Sequence, residues 1–251
     1  MSRRQLRCFA RGFNDSQDGP GNRLVYHLCG CNMRCPWCAN PEGLDPDRTG
    51  ADVYEISVSS LLDEIRSCAP LFYDGGGVTF TGGEATLQMD ALLEVIPILY
   101  AEHIGAVIET NATHTGLSAL FPYLQLLIAD LKHPDSQRLA QVTGVQGETV
   151  YRNLKSAAAA GIPMLIRIPV IHGFNDREED IAAFSAFFQE LRRVSRAAAW
   201  CVELLPYHEF GKEKWAKLGK PYAVVDGFAP PERLRRFAEM LRAIGITEIH
   251  T

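Results

Sequence analysis

Six short apolar runs recur along the chain, and a segment with helical periodicity follows each of them. The runs cover residues 23–28, 78–81, 105–110, 126–131, 163–170 and 200–205. Nearly continuous apolar strands that alternate with helices are typical of a parallel sheet covered on both faces. We predict helices over residues 59–67, 87–102, 117–123, 136–142, 149–160, 178–193 and 231–244. The alternation predicts six βα units in an α/β fold, and residues 246–250 are a candidate final strand.

The length of the chain is compatible with one large domain. Its 251 residues contain no internal repeat, no low-complexity run and no linker rich in Gly or Ser. A chain of this length can bury a proper hydrophobic core. We therefore expect residues 1–251 to form a single domain on a (β/α)6 sheet, open or partly closed into a barrel. The acidic segment 39–57 is expected to be a surface loop.

Composition and charge exclude several classes of protein. The formal net charge is −5, with 22% charged and 47% hydrophobic residues. This is an ordinary globular composition without the basic footprint of a nucleic-acid-binding protein. The sequence shows no secretory signal and no apolar run long enough to cross a bilayer. We expect a cytoplasmic protein with no nucleic-acid or membrane partner, in a compartment where thiols stay reduced.

Each predicted strand ends in chemically distinctive residues. In chain order these endings are the cysteine cluster, Thr81-Gly82-Gly83-Glu84, Glu109-Thr110-Asn111, Asp130-Leu131-Lys132-His133, Arg167, and Pro206-Tyr207-His208. In parallel βα folds, functional residues gather at the carboxyl ends of the strands. Six such endings therefore predict one site at that edge of the sheet.

Four of the seven cysteines lie within the sequence CGCNMRCPWC at residues 29–38. Cys31, Cys35 and Cys38 form a C-x3-C-x2-C pattern. A structural zinc site needs four ligands, and a thioredoxin-like C-x-x-C would leave Cys31 surplus. Three thiolates could also hold a [4Fe–4S] cluster that keeps one iron free for a ligand. The other cysteines are interpreted as a bystander to this cluster, Cys29, or as small buried hydrophobes, Cys8, Cys68 and Cys201.

Four polar residues at strand ends have both a structural and a functional interpretation. Glu84 after two glycines is either part of a turn or a carboxylate that receives a ligand ammonium. Lys132 is either a snorkelling surface lysine or a site residue. Arg167 lies in an apolar strand and needs a partner, which the carboxylate of a bound cofactor would provide. His208 is either a cap or core histidine or a cofactor contact.

The spacing of Cys31, Cys35 and Cys38, with Trp37 before the last cysteine, resembles the signature of the radical S-adenosylmethionine superfamily. The resemblance implies that these thiolates hold a [4Fe–4S] cluster. It further implies that the amino and carboxylate groups of S-adenosylmethionine chelate the fourth iron, and that Glu84 with its glycines holds the amino group. The implied fold is a partial (β/α)6 TIM-like barrel of the radical S-adenosylmethionine type.

Four longer segments are similar to those of glycyl radical enzyme activating enzymes, closest to the pyruvate formate-lyase activating enzyme type. They are DGPGNR at 18–23, TGGEATLQ at 81–88, ADLK at 129–132 and LLPYHEFGKEKW at 204–215. The expected cofactor contacts are Trp37, Cys38, Ala39, Gly82, Gly83, Glu84, Asp130, Leu131, Lys132, Arg167 and His208. The expected partner contacts are Asp18, Gly19, Pro20 and Gly21.

Two positions depart from the family pattern. Glu109 stands where the family typically has Asp. The resemblance implies a possible monovalent-cation site beside the cofactor, formed by Glu109, Thr110 and Asp130. Asn22 replaces an aliphatic residue where the partner peptide is expected to pass. The two departures together suggest a partner other than pyruvate formate-lyase itself. Only Cys68 lies between the cysteine cluster and Gly82, so we expect no ferredoxin-like insert and a single cluster.

The resemblance implies an oxidoreductase of anaerobic metabolism. It would cleave S-adenosylmethionine reductively and take a Cα hydrogen atom from a glycine of a partner glycyl radical enzyme, with an electron from flavodoxin or a ferredoxin-type protein. No protein side chain is assigned as catalytic, because the cluster and cofactor generate the radical. A monomer is expected. The alternatives are a radical S-adenosylmethionine enzyme for a small molecule or another peptide, a ribonucleotide reductase activase, and a non-catalytic iron–sulfur or metal protein.

Overall fold

The structure is a computed structural model that describes residues 4–15, 17–195, 200–246 and 249–250. The strands among these residues are β1 (Gln5–Asp15), β2 (Asn22–Leu28), β3 (Tyr54–Ser57), β4 (Gly77–Gly82), β5 (Gly105–Thr110), β6 (Leu126–Asp130), β7 (Met164–Val170), β8 (Trp200–Pro206) and β9 (Ile249–His250). The α-helices are α1 (Val58–Cys68), α2 (Met89–Ala101), α3 (Ser136–Thr143), α4 (Glu148–Ala160), α5 (Glu178–Val194), α6 (Lys212–Lys217) and α7 (Pro231–Ala243).

The chain divides into two compact units. The first unit comprises the described residues within 1–32, 40–110 and 114–128. The second comprises those within 33–39, 111–113 and 129–251. Strand β6 contributes its first three residues to the first unit and its last two to the second. The prediction of a single domain stays a prediction.

The first unit contains a mixed sheet with the strand order β3-β1-β2-β4-β5. Strand β1 pairs antiparallel with both β2 and β3. Strands β2, β4 and β5 are parallel, with Val25 opposite Thr79 and Thr79 opposite Val107. Tyr26 and Phe80 are fully buried on adjacent strands, and their rings stack with centroids 5.9 Å apart. The parallel strands place their carboxyl ends at one edge, where Cys29 and Gly83 follow.

The second unit is built on parallel strands that helices cover. Strand β8 pairs in parallel with β7 and with β9, and Ile166 lies opposite Val202. Phe184 of α5 and Phe237 of α7 are fully buried, with ring centroids 5.0 Å apart. Asp135 caps the N-terminus of helix α3, because its Oδ1 accepts hydrogen bonds from first-turn N–H groups. Gly144 caps the C-terminus with a backbone in the left-handed region. None of the described helices is both long and apolar enough to span a membrane.

The six predicted strands are confirmed, with boundaries shifted by no more than one residue. The prediction of a helix at 117–123 is wrong, because the chain forms two short 3-10 turns there, at Leu117–Ala119 and Phe121–Tyr123. Pro122 lacks the backbone N–H that a continuous helix needs. Residues 246–250 form a strand at 249–250, and the remainder of that prediction includes residues 247–248, which lie outside the described part.

Two strands and one helix were missed. Strand β1 alternates buried Leu6 and Cys8 with polar positions, a pattern of antiparallel strands that a search for continuous apolar runs does not detect. Strand β3 interrupts the predicted surface loop, and within that loop Leu44 is buried. Helix α6 has six residues and carries too short a pattern to be recognised.

Candidate active site

The first part of the cysteine-rich segment belongs to the first unit and is fixed by its backbone. Cys29 N donates to Arg7 O at 2.9 Å, Gly30 N to Gly43 O at 2.8 Å, and Cys31 N to Leu44 O at 3.2 Å. Cys29 is buried, whereas the Cys31 side chain is half-buried. The segment leaves β2 as an ordered extension of the sheet edge.

The second part of the segment belongs to the second unit. Cys38 N donates to Cys35 O at 3.1 Å, which closes a tight turn around Pro36 and Trp37. The Trp37 ring packs against Phe174, with centroids 5.0 Å apart. Cys35 is buried, and this burial raises the pKa of its thiol to about 11, although the positive charge of Lys132 acts in the opposite direction. Ala39 and Cys38 are half-buried.

The cysteine thiols are chemically suited to an iron–sulfur cluster. All seven cysteines are free thiols. No three described His, Cys, Asp or Glu side chains are grouped so that they could hold one metal ion. In a [4Fe–4S] cluster each thiolate binds a different iron, so its ligands stand farther apart than those around a single ion. A buried thiol such as Cys35 becomes a thiolate near neutral pH only when a metal compensates the charge.

Glu84 is a buried carboxylate at the end of β4. Its side chain is 1% exposed. Its Oε1 accepts hydrogen bonds from Thr86 N at 3.0 Å, from the Thr86 hydroxyl, and from the Thr110 hydroxyl at 2.6 Å. These donors fix the direction of the carboxylate. Glu84 thus caps the 3-10 turn at Ala85–Gln88, and its role as a cofactor contact stays a prediction.

The two glycines before Glu84 permit close packing of backbone against backbone. Gly82 has a φ of +120°, and a Cβ there would lie 2.2 Å from Leu28 N. A Cβ at Gly83 would lie 2.2 Å from Gly30 O. Any side chain at either position would displace the start of the cysteine-rich segment. The glycines thus join the Gly-Gly-Glu turn to the strand that leads to the cysteines.

The residues of the expected cation site make separate contacts. Glu109 Oε2 accepts a hydrogen bond from Thr81 Oγ1 at 2.5 Å. Thr110 is buried and donates to Glu84. In the second unit, Asp130 Oδ2 pairs with Lys132 Nζ at 2.5 Å.

Lys132 is 8% exposed, so the interpretation as a snorkelling surface lysine is wrong. Leu131 is fully buried, and its N–H donates to Arg167 O at 2.9 Å. The Lys132 carbonyl accepts a hydrogen bond from Asn175 Nδ2 at 2.9 Å. Asn175 is fully buried, and its Nδ2 also donates to Pro169 O at 2.8 Å. The ends of β6 and β7 are therefore fixed through one amide.

Arg167 has a carboxylate partner within the protein. Its Nε donates to Glu203 Oε2 at 2.6 Å, across the parallel pair β7 and β8. A half-buried cation among apolar strand residues is stabilised by such a partner. The cofactor carboxylate that the sequence suggested is thus not required to compensate this charge.

His208 follows β8 and is half-buried. Partial burial lowers the pKa of its imidazole below the ordinary value. Its ring stacks on Phe210 with centroids 4.2 Å apart, and Phe210 is largely exposed. The histidine is therefore neutral near pH 7 and lies beside an exposed aromatic ring.

The Asp18–Gly21 segment precedes β2, and hydrogen bonds from Arg23 and Thr79 fix its backbone. Arg23 is fully buried and donates six hydrogen bonds. The acceptors are Thr79 Oγ1 at 2.8 Å, Pro20 O at 3.0 Å, Gly75 O at 3.3 Å, Gln125 Oε1 at 3.1 Å, Val78 O at 2.8 Å and Gly105 O at 2.9 Å. Thr79 Oγ1 in turn donates to Asp18 O at 2.7 Å.

Asn22, one of the two departures from the family pattern, has a structural role. Its Nδ2 donates to Leu71 O at 2.8 Å, and its N–H donates to Tyr73 O at 3.3 Å. The side chain therefore ties the Asp18–Gly21 segment to the turn that follows α1.

Sequence reasoning missed three residues that organise these segments: Arg23, Asn175 and Trp215. Arg23 ends the DGPGNR motif, which was the available signal, but its burial was not anticipated. Asn175 lies in HGFND at 172–176, where a polar pair five residues after the end of β7 was overlooked. Trp215 ends the last family-like segment, and its Nε1 donates to Cys38 O at 2.9 Å.

Comparison with known proteins supports the fold and the family. Residues 25–185 match the family model described as the radical SAM superfamily. The chain is 31% identical over 240 residues to the pyruvate formate-lyase-activating enzyme of Streptococcus mutans, covering 90% of this chain and 87% of that relative. It is 31% identical over 224 residues to the enzyme of the same name from Staphylococcus epidermidis, covering 86% of both chains.

Solved structures agree with this relationship. A domain of pyruvate-formate lyase-activating enzyme from Bacteroides vulgatus is 26% identical, with a TM-score of 0.56, over 70% of this chain and 99% of that one. A radical SAM methyltransferase from Sphaerobacter thermophilus, 19% identical, has a TM-score of 0.63 over 93% of this chain and 66% of its own, which bears on the fold alone. The predicted partial TIM-like barrel of the radical S-adenosylmethionine type is confirmed.

Membership of this superfamily implies S-adenosylmethionine and a [4Fe–4S] cluster as cofactors. The range that matches the family model includes Cys31–Cys38 and Gly82–Glu84. The chain belongs to the radical SAM superfamily and, within it, to the family of pyruvate formate-lyase-activating enzymes.

Proposed function

We propose that this protein activates a glycyl radical enzyme, pyruvate formate-lyase or a relative of it, by placing a radical on one of its glycines. The observation that carries the proposal is the 31% identity over 240 residues to a pyruvate formate-lyase-activating enzyme. The buried carboxylate of Glu84 supports it, because a fixed anion at a strand end suits the ammonium group of a methionyl moiety.

The residues of the chain bind and orient, and none of them acts as a general base. Cys31, Cys35 and Cys38 hold the single cluster, and Glu84 receives the methionyl amino group. When bound, the reduced cluster and S-adenosylmethionine supply a 5′-deoxyadenosyl radical that takes a hydrogen atom from the Cα of the partner's glycine, leaving methionine and 5′-deoxyadenosine. Glycine suits this step because its Cα radical is planar and delocalised over the flanking amides.

Lys132, Asp130 and Arg167 are further proposed cofactor contacts. Lys132, which is buried, and Asp130, which is half-buried, form an ion pair that presents donors and acceptors in fixed directions. Arg167, already neutralised by Glu203, orients rather than balances charge. The remaining proposed contacts are Trp37, Cys38, Ala39, Gly82, Gly83, Leu131 and His208.

We assign Asp18, Gly19, Pro20 and Gly21 to partner contact. Pro20 is exposed, and the backbone of the segment is held by Arg23 and Thr79, so it offers a rigid surface. A monovalent cation at Glu109, Thr110 and Asp130 belongs to the same proposal. So do an electron from flavodoxin or a ferredoxin-type protein, a monomeric state, a single domain and a cytoplasmic location.

The test is an anaerobic assay of S-adenosylmethionine cleavage. The cluster is reconstituted and reduced, and 5′-deoxyadenosine is quantified with and without a peptide that copies a glycyl radical loop. We expect product that rises with the peptide, and an electron paramagnetic resonance signal of a glycyl radical when a full partner enzyme is present. The Cys35→Ala variant is the control, because it removes one cluster ligand.

Three outcomes discriminate between the candidate functions. Peptide-stimulated cleavage that disappears in Cys35→Ala supports the activating enzyme. A cleavage rate that no glycyl-loop peptide or partner enzyme changes favours a radical S-adenosylmethionine enzyme that acts on a small molecule. The absence of cleavage by an intact, reduced cluster refutes radical chemistry in this protein.

A further inference from the structure

Two residues near the end of the second unit contact the same backbone carbonyl, that of Cys38. Trp215 Nε1 donates to Cys38 O at 2.9 Å, across 177 residues of sequence. A Cβ built on Gly211 would lie 2.2 Å from the same oxygen and 3.1 Å from Ala39 Cα. The Gly211–Trp215 segment therefore lies directly against the last cysteine of the C-x3-C-x2-C motif.

The indole that makes this hydrogen bond is itself held in place. Trp215 lies on α6, and its N–H donates to Gly211 O at 2.9 Å. Its ring makes an edge contact with Tyr222, with centroids 6.4 Å apart. The hydroxyl of Tyr222 is 2.9 Å from that of the buried Tyr207. The donor thus reaches the carbonyl from a packed aromatic group, with little rotational freedom to lose.

The backbone of Cys38 is also fixed on its N–H side. Its N–H closes the turn onto Cys35 O, and its side chain is half-buried. The orientation of the peptide after Cys38 determines where the segment leaves the turn. It also restricts the backbone from which the thiol projects. The Trp215 hydrogen bond fixes this peptide on the side facing α6.

We propose that Trp215 is a positioning residue for Cys38 as a ligand of the iron–sulfur cluster, with Gly211 leaving room for the contact. This inference rests on the proposed function, because it requires that Cys38 binds the cluster. Residues that orient metal ligands without touching the metal typically change metal affinity by about 10–100-fold when they are removed. The same ordering extends to Ala39, a proposed cofactor contact.

The experiment compares Trp215→Phe with Trp200→Phe in the reconstituted holoprotein. Both substitutions remove an indole N–H and keep an aromatic ring, but the Trp200 donor is bound by Ser195 Oγ, at 2.9 Å. The readouts are the rate of iron release to a chelator and the electron paramagnetic resonance spectrum of the reduced cluster. We expect Trp215→Phe to release iron about tenfold faster than the unchanged protein. Its spectrum should also change, whereas Trp200→Phe should match the unchanged protein in both readouts.

A second pair of variants keeps the inference testable if Trp215→Phe folds poorly. Gly211→Ala places a methyl group against the Cys38 carbonyl, whereas Gly12→Ala places one where no atom lies within 4 Å. Faster iron release in Gly211→Ala alone supports the inference. Equal release rates and spectra in Trp215→Phe and the unchanged protein overturn it.

Failure of the inference can be told apart from failure of the proposed function. If the protein without substitutions retains a cluster but never cleaves S-adenosylmethionine, the proposed function is refuted, and the iron-release rates of the variants can still be compared. Unchanged protein that takes up no cluster refutes both.

Discussion

Replacing Arg23 with Met is the substitution whose effect can be worked out most fully from the structure. The guanidinium is fully buried and makes six hydrogen bonds, all within the first unit. Burial lowers its pKa to about 10, so it remains charged at neutral pH. Met can occupy the space of the aliphatic part of the side chain, but it leaves every acceptor without this donor.

The expected loss of stability follows from the two most buried bonds. These run from Arg23 to Thr79 Oγ1 and to Val78 O, each 2.8 Å long. A hydrogen bond to a charged group contributes about 1.5–3 kcal/mol, so these two contribute about 3–6 kcal/mol. For a chain of this size each kcal/mol lowers the melting temperature by about 2–4 °C, which gives a drop of about 6–24 °C.

The assay is thermal and urea unfolding of the anaerobic protein, followed by circular dichroism. Arg11→Met is the matched control on β1, where the guanidinium pairs with Glu64 at 2.7 Å and is largely exposed. An exposed pair of this kind contributes under about 1 kcal/mol. Arg23→Lys keeps the charge but cannot reach all six acceptors, so we expect an intermediate loss. A melting temperature for Arg23→Met within 2 °C or so of that of Arg11→Met would refute the reasoning.

Three further predictions concern the site. Glu84→Gln should weaken S-adenosylmethionine binding by at least about tenfold, because the amide lacks the negative charge that attracts an ammonium group. Isothermal titration calorimetry of the cluster-bound protein measures the affinity, and an unchanged affinity contradicts the proposed contact of Glu84 with the cofactor. Asn175→Ala should both lower the free energy of unfolding by about 1–3 kcal/mol and weaken cofactor binding, because the Lys132 carbonyl loses its hydrogen-bond donor. A loss of stability with unchanged cofactor affinity would show that Asn175 contributes to folding only. Burial lowers the pKa of His133 in the folded state, despite its contact with Asp180. As the pH drops below about 6.5, the unfolded state therefore becomes protonated at a higher pH than the folded state does, and the free energy of unfolding should fall. His133→Gln should flatten that decline in urea titrations, and an identical slope in both proteins would refute the assignment.

The strand and helix order was predictable because it is encoded locally. Continuous apolar runs mark strands buried on both faces, and these runs coincide with β2, β4, β5, β6, β7 and β8. The positions of Glu84 and Lys132 at strand ends followed from the same runs. The cysteine spacing likewise needed no structure, because three ligands within eight residues are a local pattern.

The failures have a common physical origin. Over residues 5–8, strand β1 alternates polar and buried residues, as antiparallel strands commonly do, and this weaker pattern was not detected. The region 117–123 looked helical from its apolar spacing, but Pro122 prevents a continuous helix.

Only the tertiary structure decided which polar side chains share a partner. The acceptors of Arg23 lie from 3 to 102 residues away along the chain, and Trp215 reaches Cys38 across 177. Arg167 has Glu203 as its partner for the same reason, because β8 pairs beside β7 in register. Apolar periodicity is set by near neighbours and can be read from a sequence. A hydrogen bond between distant segments exists only once the strands have paired, so the residues that hold this site in place become visible only in the fold.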